Sequence, residues 1–214
     1  MNRVDENLEL CNVVTGTQTN IANSIHIDKQ INIDVFRAIT EKRKDCPWLV
    51  LVHAPVERPE KRWPAERYAS VIDLLMEDGR FDVVLTHGPG QRQMLTTILL
   101  KCANEPIVPP ACDSLREFAG LAASASLYVG ADTGPMHIAA AVGTPVVAIF
   151  GGTAPSMHRP IGASSRILGG VSFEDRVDRV SLEESLDVLE AVTAEDVFTA
   201  AVELLEESGS IGSS

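Results

Sequence analysis

The sequence predicts an α/β fold, a Rossmann-like parallel sheet flanked by helices. Three observations predict it. Residues 126–152, SLYVGADTGPMHIAAAVGTPVVAIFGG, run strand, loop, helix, strand, the pattern of a right-handed βαβ unit. Leu49-Val50-Leu51-Val52 is a short unbroken apolar run, as a strand buried on both faces requires. The 214 residues are 45% hydrophobic, ample for a packed core.

In chain order, Val4, Leu8 and Leu10 suggest a short amphipathic helix, followed by polar TGTQTNIANS and an Ile/Val-rich segment from Ile25 to Ile39. The strand at Leu49 leads through His53-Ala54-Pro55 into the loop VERPEKRWP. Pro64 then opens a helix with Val71, Ile72, Leu74 and Leu75 on one face. A strand from Asp82 to Leu85 ends in Thr86-His87-Gly88-Pro89-Gly90. That segment lacks the third glycine of a dinucleotide fingerprint and the GK[ST] ending of a P-loop. Gly88 therefore either turns the chain near a nucleotide or sits in an ordinary βα turn. Ile107–Pro110 predicts a brief strand, and Ser114-Leu115-Arg116-Glu117 a capping box opening a helix through Ala125. After the βαβ unit, Thr193-Ala194-Glu195-Asp196 caps a closing helix with Val197, Ala200, Ala201, Leu204 and Leu205 on one face.

The loop inside the βαβ unit lies where parallel sheets bind ligands, past the carboxyl end of a strand and at the start of a helix. Gly134 lets the backbone approach a ligand, and Pro135 suits a first helical turn because it has no amide hydrogen to leave unpaired. The free amides and the helix dipole suit a phosphate or diphosphate. Asp132 would repel a phosphate placed on it, so it serves a neighbouring hydroxyl or holds the loop, while His137 donates to a phosphate oxygen. The competing reading is that Asp132 or Thr133 caps the helix and His137 is structural.

Composition narrows the class. A net charge of −12 with no basic run longer than Lys42-Arg43-Lys44 argues against a nucleic-acid binder. Cys11, Cys46, Cys102 and Cys112 show no CxxC spacing, which fits reduced thiols in a cytoplasmic protein. No apolar run is long enough to cross a bilayer, and MNRVDENLEL is too polar for a signal peptide. The sequence contains no HExxH, DxD or GxSxG, and its five histidines, His26, His53, His87, His137 and His158, are far apart, so no metal site is expected.

The segment GADTGPMHIAAAVGTPVVAIFG resembles the signature of the bacterial heptosyltransferase family, which moves heptose from an ADP-sugar onto the inner core of lipopolysaccharide. Lys61-Arg62-Trp63-Pro64 with AERYASVIDLLME, and VVLTHGPGQRQ from Val83 to Gln93, agree in order and spacing. The resemblance spans about residues 48–206 and implies the C-terminal, donor-binding half of a GT-B glycosyltransferase. Residues 1–46 are then an N-terminal remnant and linker, 47–207 the nucleotide-sugar-binding domain, and 208–214 a flexible tail.

The implied donor site comprises Lys61 on the phosphates, Gly88 near the nucleotide, Asp132, Thr133, Gly134 and Met136 of the loop, and His137. The implied reaction is inverting and metal-independent, with no cofactor. Its general base comes from the N-terminal domain that holds the acceptor, so no catalytic residue is assigned here. The implied partners are ADP-heptose or a similar donor, a lipopolysaccharide or related glycolipid acceptor, and a separate subunit supplying the N-terminal domain. The expected location is the cytoplasm, with peripheral association at the inner membrane.

Two departures bear on this. Val56, Glu57 and Arg58 stand where the family tends to have small or hydroxyl-bearing residues, and Gly152 and Ala154 replace a proline and an acidic residue. They keep open a second reading, a catalytically silent, truncated nucleotide-binding domain. A nucleotide-sugar epimerase would need the dinucleotide fingerprint that is missing.

Overall fold

The computed structural model describes residues 33–44, 46–172, 180–207 and 209. Its centre is a 5-stranded, all-parallel sheet in the order β2-β1-β3-β4-β5. The strands are β1 (Trp48–His53), β2 (Phe81–Thr86), β3 (Leu127–Ala131), β4 (Val146–Phe150) and β5 (Ser165–Gly169). The helices are α1 (Ile33–Thr40), α2 (Ala65–Asp78), α3 (Thr96–Leu99), α4 (Leu115–Ala123), α5 (Gly134–Ala141), α6 (Pro155–His158), α7 (Leu182–Ala191) and α8 (Ala194–Glu207).

Strand alternation sorts the core into two layers. Val50, Val52, Val129, Val147 and Ile149 pack with residues of α2 and α8, while Leu49, Leu51, Tyr128, Ala148 and Phe150 pack with residues of α1, α4 and α5. Both faces are covered, which is why the strands read as continuous apolar runs.

Helix α2 follows Pro64 and stops at Gly79, whose φ of 80° is left-handed. Of its predicted face Val71, Ile72 and Leu75 are buried, and Leu74 is partly buried. The predicted face of α8 is buried throughout, and its start is capped reciprocally: Asp196 N donates to Thr193 Oγ1 at 3.0 Å and Thr193 N to Asp196 Oδ2 at 3.0 Å. At α4 only half of the predicted box forms. Ser114 Oγ accepts from Glu117 N at 3.2 Å, but the Glu117 carboxylate takes the amide of Asp113 instead of Ser114.

The strand predicted at Ile107–Pro110 reduces to one parallel bridge between Ile107 and Val84. Ile107 makes both backbone bonds to β2, but Pro106, Pro109 and Pro110 have no N–H with which to extend the ladder. In the other direction, α3, α6, α7 and β5 are elements that the sequence reading did not anticipate. Helix α1, from the stretch assigned to the linker, inserts Val35 and Ile39 beside Leu49 and Leu51. The predicted helix around Val4–Leu10 lies outside the described residues, as does the tail apart from Gly209.

One packing arrangement positions the loop after β1. Trp63 is buried, donates its indole N–H to Val192 O at 3.1 Å, and stands edge-on to Tyr68 with ring centroids 4.8 Å apart. The turn Pro59–Lys61 just before it rests on the chain leaving β4, where a Cβ on Gly151 would lie 2.2 Å from Glu60 O. Arg62 ties the same loop by donating to the carbonyls of Val56 and Glu57. Lys61 is thereby aimed across the sheet toward the loop after β3.

Candidate functional site

A cleft of about 640 Å³ opens at the carboxyl ends of β1, β2 and β3. The chain leaves β1 toward β2 on one side, and β3 pairs with β1 on the other, so the loops diverge there. Such a divergence is the ligand crevice of parallel α/β sheets.

Asp132, first after β3, is the hub. It is 3% exposed, and its Oδ2 accepts from Lys61 Nζ at 2.5 Å and from Thr153 Oγ1 at 2.8 Å. Lys61 Nζ also donates to the Asp132 carbonyl at 2.9 Å. The Lys61 side chain is 13% exposed. It is thus neither a solvated surface lysine paired with Glu57 or Glu60 nor a cation standing open in the cleft. An ammonium with no other ion-pair partner among the described residues holds a buried carboxylate.

The capping alternative does not hold for either residue. Thr133 is the N-cap of α5, yet its hydroxyl donates back to Ala131 O at 3.3 Å and makes no cap bond, and Asp132 is engaged by Lys61 and Thr153. Of the amides from Thr133 to Met136, Pro135 has none and that of Met136 donates to Thr133 O at 3.1 Å. Those of Thr133 and Gly134 take no partner among the described residues. A Cβ on Gly134 would meet nothing within 4 Å, so the chain itself makes no steric demand for glycine there. The space in front of Gly134 is open.

Met136 is a correction. Its side chain is fully buried in the α4–α5 layer and its amide is taken, so the structure makes it a core residue and does not bring it to the cleft. His137, one position on, is half exposed with Nε2 3.9 Å from Asp132 Oδ1. Burial lowers its pKa, Asp132 opposes the shift, and the nearby Lys61 and His158 add to it. Gly88 lines the cleft and also serves the turn. Its amide donates to Gln91 Oε1 at 3.1 Å and its carbonyl accepts from His87 Nδ1 at 3.0 Å. Glu57 and Arg58 stand at the mouth.

Three contributors were not singled out from sequence. Thr153 is buried and reaches Asp132 from the loop after β4. His53, the last residue of β1, and His87, the first after β2, line the cleft, His53 beside Phe118 of α4. His53 is 5% exposed, with Nδ1 2.9 Å from Thr86 Oγ1, and its pKa falls to about 4 through burial and the neighbouring His87. A histidine at the carboxyl end of a buried strand marks the ligand edge of a parallel sheet, and that signal was available. Gly152 has a packing reason: a Cβ there would lie 1.8 Å from Ser185 Oγ on α7. Ala154 is fully buried. Among the described residues no group of three or more His, Cys, Asp or Glu side chains is placed to hold a metal ion, and no helix is long and apolar enough to cross a membrane.

Comparison with known proteins agrees with this geometry. Lipopolysaccharide heptosyltransferase 3 of Escherichia coli K12 is 32% identical over 161 residues, covering 74% of this chain and 46% of its own. The chain therefore spans about half the length of that relative. The crystal structure of a family 9 glycosyl transferase from Veillonella parvula superposes with a TM-score of 0.79 at 25% identity, over 96% of this chain and 60% of that one. The E. coli heptosyltransferase WaaC with ADP shares the fold at a TM-score of 0.56 and 23% identity, over 81% of this chain and 48% of that one. The sheet order, the cleft at its carboxyl edge and a family model that runs across residues 2–186 lead to one assignment: the chain belongs to glycosyltransferase family 9, the heptosyltransferase family.

Proposed function

We propose that this chain is the donor-binding part of a GT-B glycosyltransferase. It takes ADP-heptose or a close analogue and supports inverting, metal-independent transfer to a lipopolysaccharide core or related glycan. The observation that carries the reading is one cleft lined both by phosphate-binding groups and by apolar side chains. At the β1–β3 divergence, Lys61 and the amides of Thr133 and Gly134 suit a diphosphate. Phe118, which stands against His53 and Tyr128, together with Pro89 and the 73% exposed Leu115, offers apolar walls for a base. The ADP in the E. coli relative supports an adenine nucleotide as occupant.

In this reading the acceptor hydroxyl attacks the anomeric carbon, a carboxylate removes its proton, and ADP departs. A departing diphosphate oxygen takes over part of the Lys61 ammonium from Asp132 and accepts from the Gly134 amide. Protonated His137 donates to a further oxygen. Asp132 is already bonded to Lys61 and Thr153, so it is not the base. The base and the acceptor site belong to an N-terminal domain, in the same polypeptide or in a separate subunit. On the donor domain assigned to residues 47–207, Glu57 is the observation that favours the silent alternative, since a carboxylate at the mouth opposes a diphosphate.

Calorimetric titration with ADP, UDP and ADP-heptose, repeated on Lys61→Ala and His137→Ala, tests the reading. Binding selective for adenine nucleotides and weakened in both variants is expected. A folded chain that binds none of them would overturn it.

A further inference from the structure

His53 lines the cleft but takes no part in the donor chemistry proposed for it. Its ring is nine-tenths buried at the end of the central strand, edge-on to Phe118 with centroids 5.7 Å apart. Nδ1 lies 2.9 Å from Thr86 Oγ1, and that hydroxyl donates its own proton to Val52 O at 3.2 Å. A carbonyl can only accept, so Thr86 must receive the bond from His53 Nδ1–H. The tautomer is thereby fixed, and Nε2 carries a lone pair.

Nε2 has no partner among the described residues and is not among the unpartnered buried nitrogens, unlike Nε2 of His87 close by. It is therefore the atom through which this buried ring opens into the cleft. Burial and the neighbouring His87 hold the ring neutral at any pH above about 4. Such a group neither attracts phosphate nor removes protons well at neutral pH. It can accept one hydrogen bond from a neutral O–H or N–H.

We infer that His53 Nε2 accepts a hydroxyl of the bound nucleotide sugar and reads its presence. This rests on the donor-site reading. His53 abuts Phe118 and shares the cleft with Lys61, and hydroxyls of that ligand flank the diphosphate on both sides, on the ribose and on the sugar to be transferred. Thr86 acts as the positioning residue that fixes the imidazole.

The test is a cycle of ligand and protein changes read by calorimetry. His53→Asn keeps a donor at the Nδ1 position for Thr86 and removes the Nε2 acceptor, so the fold is retained. The ligands are ADP, 2′-deoxy-ADP, 3′-deoxy-ADP, ADP-heptose and ADP-2-deoxy-2-fluoro-heptose. If the hydroxyl is on the ribose, one deoxy-ADP binds the wild type about tenfold more weakly than ADP, and the difference vanishes in His53→Asn. If it is on the transferred sugar, ADP binds both proteins equally while the variant loses about tenfold for ADP-heptose but not for the fluoro analogue, or for both when another hydroxyl is read. His53→Gln, which returns an acceptor near Nε2, recovers part of the loss. Equal discrimination by wild type and His53→Asn across all ligands overturns the inference and leaves the donor site standing. A wild type that binds no adenine nucleotide overturns both.

Discussion

Asp132 shows how little of the site is a matter of single residues. Its carboxylate is buried, held by Lys61 from 71 positions earlier and by Thr153 from 21 positions later. Asp132→Asn leaves a largely buried ammonium without counter-charge and should cost about 3 kcal/mol, seen as a lower denaturation midpoint at unchanged slope. Thr153→Val removes one bond to the carboxylate and should cost about 1 kcal/mol. The two histidines make pH predictions of defined sign. The folded pKa of His53, about 4, lies below its unfolded value, so the unfolded chain binds more protons between that pH and about 6.5. Stability is full above that window and falls as pH drops through it, by up to ~3 kcal/mol for this group alone. His53→Asn should flatten that part of the stability profile measured by urea titration. His137 also has a lowered pKa, and a bound diphosphate would raise it, so ADP binding takes up a proton and tightens as pH falls toward the imidazole range in the wild type but not in His137→Gln. The residue types Asp132, Gly134, Lys61 and His137 were legible because they fall in motifs at a strand–helix junction. The Lys61–Asp132–Thr153 contact was not, because chain separation hides it, and Met136 was misplaced because a loop motif does not say which side chain turns inward.

At the scale of elements, what the sequence made legible was what periodicity controls. β1, β2, α2, the βαβ unit and α8 follow from apolar runs and faces. The elements missed are those that local pattern marks weakly: α3 and α6 are four-residue turns, and β5 is a half-buried edge strand without an unbroken apolar core. Helix α7 is the exception, missed although Ser181 and Glu184 form a full capping box, because that box lies inside an acidic stretch. Its packing explains a departure from the family pattern. Gly152 lies so near Ser185 that a side chain there would force α7 outward. Gly152→Ala should therefore destabilise by about 2 kcal/mol, and Gly152→Pro, which restores the residue the family resemblance suggests, should cost at least as much. Ser185→Gly should recover part of the Gly152→Ala loss in thermal melts, because it removes the hydroxyl and Cβ but leaves Val180 Cγ2 at 2.9 Å from the added carbon. A neutral Gly152→Ala would mean that α7 moves freely, and the Gly152 assignment would fail.

For the whole molecule, the cleft and the chemistry are separable. The cleft is assembled from the loops after β1, β2 and β3, with Thr153 after β4 bracing Asp132, all anchored on one sheet. Transfer waits for a second domain in the proposed mechanism. The carboxylate at the centre of the cleft is committed to Lys61 and Thr153, and removing it from them would expose an unpaired buried charge. Binding and turnover should therefore part company. The isolated chain is expected to bind ADP-heptose with the nucleotide selectivity described above, yet to release no ADP over hours in the presence of a lipopolysaccharide acceptor. Adding the N-terminal half of a family 9 enzyme as a separate polypeptide should bring ADP release that depends on both pieces, is abolished by Lys61→Ala, and persists in excess chelator. Transfer by the isolated chain would place the base within these residues and require Asp132, Glu57 or Asp113 to be re-examined as proton acceptors. Binding without transfer under every pairing would favour the silent domain, in which the donor cleft has outlived its reaction.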